Sequence, residues 1–317
     1  MDEQKFPTSL FVQDWWLDAV APGAWSVATV EENGRIIARM PYVIRHRRGL
    51  TLLDMPLLTP HLGPWLAPLP GKYATRLARE HQLLDALIQQ LPPFAYFSQR
   101  FHPRVTNWLP FYWRDFQQTT YYTYILPDLS DLDVVWEEFR PNIKRAIRKA
   151  QKQVQVRDDL GLETFWQLNQ LTFQRQGLKP VYDLDFLRRI DAASAQRGQR
   201  RILFAQDAQA RVHAALYLVW DEHAAYYLMG GNDPDLQNSG APSLLMWAAI
   251  QFAATVSRRF DFEGSMLPGV ERFFRSFGAR QTPYFRVTKV NSLALRIRQE
   301  LPTWLQLFRK GPKSKVD

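Results

Sequence analysis

The feature that most constrains the fold of this chain is the order of short elements near its C-terminal end. Residues 258–266 read RRFDFEGSM, in which a short strand ends in a Glu-Gly-Ser turn. Residues 269–278 (GVERFFRSFG) have the apolar spacing of a short helix that ends at a glycine, and residues 283–288 (PYFRVT) alternate as a strand does. A strand, a helix and a second strand in this order predict helices packed on a mixed sheet.

The same pattern extends back through the second half of the chain. Apolar periodicity predicts the following elements: strand 154–157, helix 162–176, helix 185–196, strands 201–206, 212–220 and 223–229, helix 243–256, strand 260–262, helix 270–277 and strand 284–290. Turn residues separate the three consecutive strands, which therefore should form an antiparallel meander.

The first half repeats this order in a less regular form. The predicted elements are helix 11–20, a hairpin of strands 25–31 and 35–44, strand 51–54, helix 73–91, and strands 94–99 and 119–126. Residues 56–65 are rich in proline and predict a long irregular loop, a class of segment that often carries function. We therefore expect an α/β protein with an α+β mixed sheet, made of an N-terminal degenerate domain (1–126), a C-terminal domain (127–295), and a C-terminal helix with a basic tail (296–317).

Composition limits the classes of site and compartment. The chain has 317 residues, enough for two domains with their own cores. It has no cysteine, which excludes disulfides and thiolate chemistry, and its six histidines never fall at close ligand spacing, so we predict no metal. The N-terminus does not resemble a secretory signal, and the longest apolar segment, 244–254, is about half of what a bilayer requires. These observations predict a cytoplasmic protein without an integral membrane segment.

The charge of the chain favours an anionic partner. Lysine and arginine exceed aspartate and glutamate to give a net charge of +9. Part of this excess repeats at helical spacing between Lys144 and Lys152, which predicts a basic stripe on one helix face without an acid from Asn142 to Val156.

Five segments together resemble the tandem GNAT proteins of the FemAB-like group, which includes bacterial acetyltransferase-like members. These segments are LTPHLGPW (58–65), PNIKRAIRKA (141–150), TFQRQG (172–177), YLMGG (227–231) and FDFEGSM (260–266). The resemblance covers nearly the whole chain and implies two GNAT-like domains that transfer an acyl or aminoacyl group to an amine. Members that use aminoacyl-tRNA build peptide bridges of cell-wall precursors, and the best-known of them carry a helical hairpin insertion that this chain lacks.

The resemblance also implies acyl-CoA, such as acetyl-CoA, as co-substrate. In a GNAT domain the pyrophosphate of the donor binds backbone N–H groups at the start of the helix after the fourth strand, where the helix dipole favours anions. The corresponding residues here are Asn238, Ser239, Gly240, Ala241 and Ser243. The regular spacing of the family motif is missing, and an ordinary helix cap explains the same residues equally well.

Two residues are candidates for catalysis. Glu263 ends a strand beside a glycine, an exposed position from which its carboxylate could take a proton from an attacking amine. The structural alternative is an ion pair with Arg272 or a cap of the next helix. Tyr227 is a candidate general acid toward a leaving thiolate, although most strand tyrosines only pack.

The remaining candidates would bind substrate. His61 lies in the proline-rich loop, and could face a groove between the halves or lie at the surface. Arg145, Arg148 and Lys149 belong to the basic stripe, and either bind phosphates or form a solvated face. Arg175 and Lys179 could bind an anion beside the acceptor, or simply complement a helix dipole.

The sequence thus favours an N-acyltransferase that moves an acyl group from an acyl-CoA-type donor to an amine acceptor, which is itself anionic. One alternative is an aminoacyl-tRNA-dependent FemAB-type peptidyltransferase that acts on a cell-wall precursor. A second alternative is a non-catalytic binding module for an anionic ligand.

Overall fold

The computed structural model describes residues 9–175, 177, 179–264, 266–293 and 295–296. In the first half the elements in chain order are a 3-10 helix Leu10–Val12, α1 Asp14–Val20, β1 Trp25–Glu32, β2 Arg35–Arg47, β3 Leu50–Asp54, β4 Trp65–Leu66, α2 Tyr73–Gln89, β5 Tyr96–Arg100, α3 Leu109–Tyr112 and β6 Gln117–Leu126. The proposed C-terminal helix and basic tail, 296–317, lie outside the described residues except for Arg296.

The second half contains more helix. Its elements are α4 Leu132–Glu137, α5 Pro141–Ala150, β7 Val154–Arg157, α6 Gly161–Arg175, α7 Leu184–Gln196, β8 Arg200–Asp207, β9 Val212–Trp220, β10 Ala225–Asn232, a 3-10 helix Pro234–Ser239, α8 Ala241–Val256, β11 Phe260–Asp261, α9 Pro268–Arg275 and β12 Arg280–Val290. The predicted elements agree with these in type and order. The short α3, α4 and β4 were not predicted, because segments of two to six residues are too short to show a period.

Local signals explain several boundaries. The β1–β2 hairpin turns at Asn33 and Gly34, which both have positive φ (52° and 72°), as a two-residue hairpin turn requires. Helix α7 begins after Asp183, whose side chain accepts a hydrogen bond from the Phe186 N–H at 2.8 Å. These elements therefore form where their own sequence specifies them.

The described strands form one mixed sheet. The strand order is β1-β2-β3-β5-β12-β6-β11-β10-β9-β8-β7. The short β4 pairs with β2 and lies outside this order. In the first half β1, β2 and β3 are antiparallel neighbours and β3 is parallel to β5. In the second half β8, β9 and β10 are antiparallel neighbours and β10 is parallel to β11. The same pattern occurs twice, which confirms two tandem copies of one mixed α/β unit.

The last strand of each half pairs with a strand of the other half. Strand β12, the last of the chain, pairs antiparallel with β5, whereas β6 pairs antiparallel with β11. The two exchanged strands also pair with each other from Gln117 to Ile125. The boundary near residue 126 stays a proposal, and the halves on either side of it share the centre of a single sheet.

Helices cover both faces of this sheet. On one face of the second half, α4, α5, α8 and α9 pack around an apolar cluster that includes Phe260 and Phe262. The other face is covered by α6 and α7 together with the N-terminal segment of the first half, since Phe11 and Trp16 share a buried cluster with Phe165 and Tyr226. A third cluster packs α2 and α3 on the first half of the sheet. The N-terminal helix therefore packs on the second half as well as on its own half, where Leu17 shares a buried cluster with Leu62 and Trp65.

Candidate functional site

The end of β11 is held in a specific shape by Asp261. Its Oδ1 accepts hydrogen bonds from the Thr123 hydroxyl of β6 and from the Glu263 N–H, the latter at 2.9 Å. The Thr123 oxygen in turn accepts the Gly264 N–H at 3.0 Å. Glu263 has φ +55°, in the left-handed region that non-glycine residues rarely occupy. Strain of this kind concentrates at functional sites when the surroundings enforce it.

Glu263, Asp261 and His61 come together at the junction of the two halves. One ring nitrogen of His61 and one carboxylate oxygen from each of the other two side chains lie within 4.8 Å of one another. We call these three residues the junction cluster. His61 is 1% exposed and Asp261 4% exposed. Glu263 is partly exposed, but its Oε1 is buried and has no hydrogen-bond partner. Glu263 is therefore only partly exposed, whereas the surface alternative for His61 is wrong.

Backbone pairing brings His61 to this position. The Leu62 N–H donates to the Arg100 carbonyl at 2.7 Å, and Leu62 forms an isolated parallel bridge with Phe101. The Phe101 N–H in turn donates to the Phe285 carbonyl of β12 at 2.7 Å. Neither ring nitrogen of His61 has a well-formed hydrogen bond among the described residues. The proline-rich loop therefore places a buried histidine beside the exchanged strands, and only the Phe101 backbone interacts weakly with its ring.

Burial sets the proton affinities of the junction cluster. Loss of water raises the pKa of Asp261 to about 6, although the Thr123 hydroxyl and the Glu263 N–H stabilise its carboxylate. Burial and the nearby Asp261 charge raise the pKa of Glu263 well above its usual value. Burial, with His102 and Arg100 nearby, lowers the pKa of His61 well below its usual value, so the ring is neutral at neutral pH. The cluster thus combines a neutral imidazole with two proton-accepting carboxyl groups.

Aromatic rings and one arginine surround the junction cluster. The Tyr284 ring of β12 meets the His61 ring edge to face at 4.9 Å, and Tyr121 lies 5.9 Å from Tyr284. The His102 ring lies 5.6 Å from His61. Arg100 donates to the Thr59 carbonyl at 3.1 Å. Sequence reasoning did not single out Asp261, Tyr284 or Arg100 as site residues, since only the exchange of strands places them together.

Strand β10 separates from β11 beside the junction cluster. The two strands pair only at Ala225 with Phe260 and at Tyr226 with Asp261. Beyond Tyr226, β10 continues to Asn232 paired with β9 alone, and its register shifts between Tyr227 and Met229. Bulges of this kind re-aim side chains beside active sites. A gap in the sheet therefore opens where Asp261 and Glu263 lie.

Tyr227 faces this gap from the opposite side of the sheet. Its ring contacts Phe274 of α9 at 6.0 Å, whereas the neighbouring Tyr226 ring packs on Phe11 at 4.8 Å. A pocket of about 100 Å³ next to it is lined by Tyr227, Gly230, Gly231, Asn232 and Pro242 among others. The Tyr227 oxygen would lie 2.1 Å from a Cβ added to Gly230, so the glycine leaves room for the hydroxyl. Burial raises the pKa of Tyr227 to about 12, which keeps it protonated as an acid requires.

The predicted donor residues lie at the start of α8. Gly240 has φ +80° and packs against α5, where an added Cβ would lie 2.4 Å from the Ala146 carbonyl. The Ala241 N–H donates to the Ser239 hydroxyl at 3.3 Å, and the Ser243 N–H donates to the Gly240 carbonyl at 3.0 Å. Pro242 between them has no N–H. The N–H groups of Ala241 and Ser243 are therefore already used within the chain, and Asn238 is exposed beside them.

The basic residues of α5 border this helix start. The Lys149 ammonium donates to the Asn238 carbonyl at 2.5 Å. Arg145 and Arg148 are exposed and have no side-chain partner among the described residues. Lys144, in contrast, pairs with Glu137 at 3.0 Å and belongs to the packed surface. The basic surface at the start of α8 thus consists of Arg145, Arg148 and Lys149.

Arg175 and Lys179 lie apart from the junction cluster along the chain. Arg175 is exposed in the last turn of α6, and Lys179 is exposed in the following loop. Their position after a helix C-terminus fits the dipole explanation. That Arg175 and Lys179 bind the substrate stays a prediction.

Residues 137–275 match the acetyltransferase (GNAT) domain family. The chain carries a GNAT domain. The GNAT match covers the elements from α4 to α9, so the open end of β10, the start of α8 and Glu263 all belong to the GNAT domain. At the level of the family, this domain is an acyltransferase domain.

Solved structures extend the resemblance beyond the matched residues. The fold is similar to FemX (TM-score 0.64, 12% identity, 89% of this chain and 93% of that chain). It is similar to the C-terminal domain of a putative lysylphosphatidylglycerol synthetase from Agrobacterium fabrum (TM-score 0.54, 12% identity, 88% and 89%). It is also similar to a tandem GNAT protein from the clavulanic acid biosynthesis pathway (TM-score 0.52, 9% identity, 86% and 85%). The GNAT fold therefore occurs in tandem here, as in the FemAB-like group.

No curated protein sequence matches the chain. Among the described helices, none combines the length and the apolar character needed to cross a membrane.

Proposed function

We propose that this protein is an N-acyltransferase that transfers an acyl group from a thioester of the acyl-CoA type to an amine. The observation that carries the proposal is the half-buried Glu263 carboxyl beside the gap between β10 and β11, since its buried Oε1 has no partner among the described residues. A carboxylate with a raised pKa is a suitable base near neutral pH. The GNAT domain supports acyl transfer as the reaction, and the amine acceptor is our inference from the base.

The two sides of the gap suit the two partners of the reaction. The donor enters from the side of α8 and Tyr227, and the amine enters from the side of the junction cluster. The amine nitrogen forms a bond to the donor carbonyl carbon while Glu263 accepts a proton from nitrogen, and the carbon–sulfur bond then breaks. Tyr227 donates a proton to the leaving thiolate and regains one from solvent. Backbone groups of β10 beyond Tyr226, which face no strand on that side, can polarise the carbonyl oxygen.

The first test measures release of free CoA from acetyl-CoA and from a longer acyl-CoA in the presence of primary amines. We expect amine-dependent thiol release, and Tyr227→Phe should lower kcat by about 10²-fold because the general acid is lost. Tyr112→Phe is the matched control, since Tyr112 is 59% exposed on α3. Absence of thiol release with every donor and amine would reject an acyl-CoA donor, and equal activity of Tyr227→Phe would remove Tyr227 from the mechanism.

A second candidate donor is aminoacyl-tRNA, and the start of α8 favours it. The N–H groups of Ala241 and Ser243 are occupied and Pro242 has none, so this helix start has lost donors for a pyrophosphate. Arg145 and Arg148 are instead exposed and unpaired beside Lys149. Cations of this kind contact the phosphates of a nucleic acid. The resemblance to the FemAB-like group implies the same donor.

This candidate predicts salt-dependent binding of tRNA to the GNAT domain. The combined change of Arg145 and Arg148 to alanine should weaken binding and reduce the slope of log Kd against log salt by about two, because each arginine neutralises one phosphate. The combined change of Lys72 and Arg76 to alanine is the control, since both are exposed in the first half. An identical slope for both double variants would show that α5 does not bind the RNA.

A further inference from the structure

The junction cluster contains more hydrogen-bond acceptors than the chain itself uses. Within the part of the chain that the structure describes, both ring nitrogens of His61 and the Glu263 Oε1 are buried without a well-formed hydrogen bond, and only the Phe101 backbone interacts weakly with the His61 ring. A neutral imidazole offers only one acceptor nitrogen, and a carboxylate offers two oxygens. Buried polar atoms are nearly always paired, and each exception calls for an unseen partner or a function. Because Glu263 is partly exposed, a partner can reach the cluster from solvent.

We infer that the junction cluster binds the primary ammonium group of the acceptor, with His61, Asp261 and Glu263 each accepting one of its three N–H bonds. This inference rests on the proposed function, because it assigns the acceptor nitrogen of the acyl transfer to a place in the fold. It adds His61 and Asp261 to the binding site, and it limits the acceptor to primary amines.

The size of the cluster fits an ammonium group. Three acceptors that each lie about 2.9 Å from a tetrahedral nitrogen are about 4.7 Å apart. The nitrogen and the two oxygens of the junction cluster all lie within 4.8 Å of one another, a spacing that is compatible with this triangle. Three ligands of a tetrahedral zinc ion, at about 2.1 Å, would be only about 3.4 Å apart. A metal ion would therefore require a smaller triangle of ligand atoms than an ammonium group does.

Charge around the cluster is consistent with a bound cation. Asp261 and Glu263 carry two negative charges when ionised, against the single positive charge of Arg100, which is directed to the Thr59 carbonyl. His61 and His102 are neutral, because the pKa of each is lowered by burial, in the case of His102 to about 3. Tyr284 presents its ring beside His61 and stays protonated, since burial raises its pKa to about 12. A cation that binds both carboxylates therefore relieves their mutual repulsion.

The bound ammonium also provides a balanced route to the nucleophile. An ammonium group carries three protons, and the amide product keeps one of them. One proton passes to the Glu263 carboxylate and leaves the nitrogen lone pair free to attack. A second proton leaves nitrogen after the bond to the acyl carbon has formed, again through Glu263 once its first proton has passed to solvent. His61 and Asp261 hold the neutral amine by its two remaining N–H bonds until the second proton leaves, and they exchange no protons themselves.

The test is a binding experiment without any acyl donor. Protein labelled with ¹⁵N-histidine is titrated with butylammonium chloride, and the His61 ring resonances are assigned with His61→Gln. We expect a saturable shift of the His61 nitrogens with butylammonium but not with tetramethylammonium, which has no N–H to donate. Asp261→Asn should weaken the binding of butylammonium at least tenfold. His46→Ala should leave the affinity unchanged, since His46 is exposed on β2.

The outcomes separate this inference from the proposed function. An equal response to tetramethylammonium, or no saturable shift at all, would overturn the ammonium site, and this comparison needs only wild-type protein. Broadening of the His61 resonance by Mn²⁺ at concentrations that exclude butylammonium would identify a metal site instead and also overturn it. Butylammonium binding without acyl transfer from any donor would reject the proposed function and retain the ammonium site.

Discussion

Glu263→Gln is expected to lower kcat for amine acylation by about 10²- to 10⁴-fold, the usual contribution of a positioned general base. Glutamine keeps the size of the side chain but cannot accept the proton. The fold should tolerate the change, because an uncharged side chain removes a buried carboxylate whose pKa burial raises well above its usual value. The measurement is steady-state acyl transfer together with urea unfolding of both proteins. Glu31→Gln, at an exposed site on β1, is the matched control.

The pH profile gives the same prediction a second readout. Glu263 must lose its proton before it can act as a base, so kcat/KM should fall as the pH decreases through its raised pKa. This acid limb should lie above the range of an ordinary glutamate, and it should be absent from Glu263→Gln. A variant that retains full activity, or that retains the same acid limb, would remove Glu263 from the mechanism.

Gly264→Ala is expected to destabilise the protein by about 3–5 kcal/mol, among the largest effects of single substitutions. An added Cβ would lie 1.8 Å from the Tyr122 carbonyl and 2.5 Å from the Thr123 Cα, both of them backbone atoms of β6. Neither atom can move without breaking the pairing at the centre of the sheet. The turn after Asp261 would shift instead and would displace Glu263, so activity should fall as well. Urea unfolding measures the stability change.

Gly269→Ala provides the matched control with the opposite sign. Gly269 lies in the first turn of α9, and a Cβ added there would meet nothing within 4 Å. Alanine in a helix is favoured over glycine by up to about 1 kcal/mol, so this variant should be as stable as the wild type or slightly more stable. A Gly264→Ala protein as stable as Gly269→Ala would mean that the turn does not need the close approach to β6.

The elements of the second half were predictable because each carries its own signal. Helices α6, α7 and α8 have apolar periodicity and definite ends, and the meander of β8, β9 and β10 is separated by short turns. The repeated order of elements also predicted the two tandem units. The catalytic candidate Glu263 could be found in the same way, since a carboxylate beside glycine at a strand end is visible in the sequence.

The junction cluster could not be predicted from local patterns. His61 is about 200 residues away from Asp261 and Glu263 along the chain, and only the pairing of β5 with β12 and of β6 with β11 brings their surroundings together. Histidine spacing, on which the prediction of no metal rested, reports only on neighbours within one element. The use of the Ala241 and Ser243 N–H groups within the chain also depends on the conformation around Gly240, which sequence spacing does not specify.

The exchange of last strands determines when this protein can fold during its synthesis. Strand β5 leaves the ribosome long before its partner β12, which ends at Val290. Until then the nascent first half exposes an unpaired edge of β5, and β6 lacks β12 along most of its length. Exposed edges in a nascent chain favour aggregation, and such long-range pairing folds slowly. The two GNAT-like halves therefore complete their shared sheet only after residue 290 has been synthesised, as one cooperative unit rather than domain by domain.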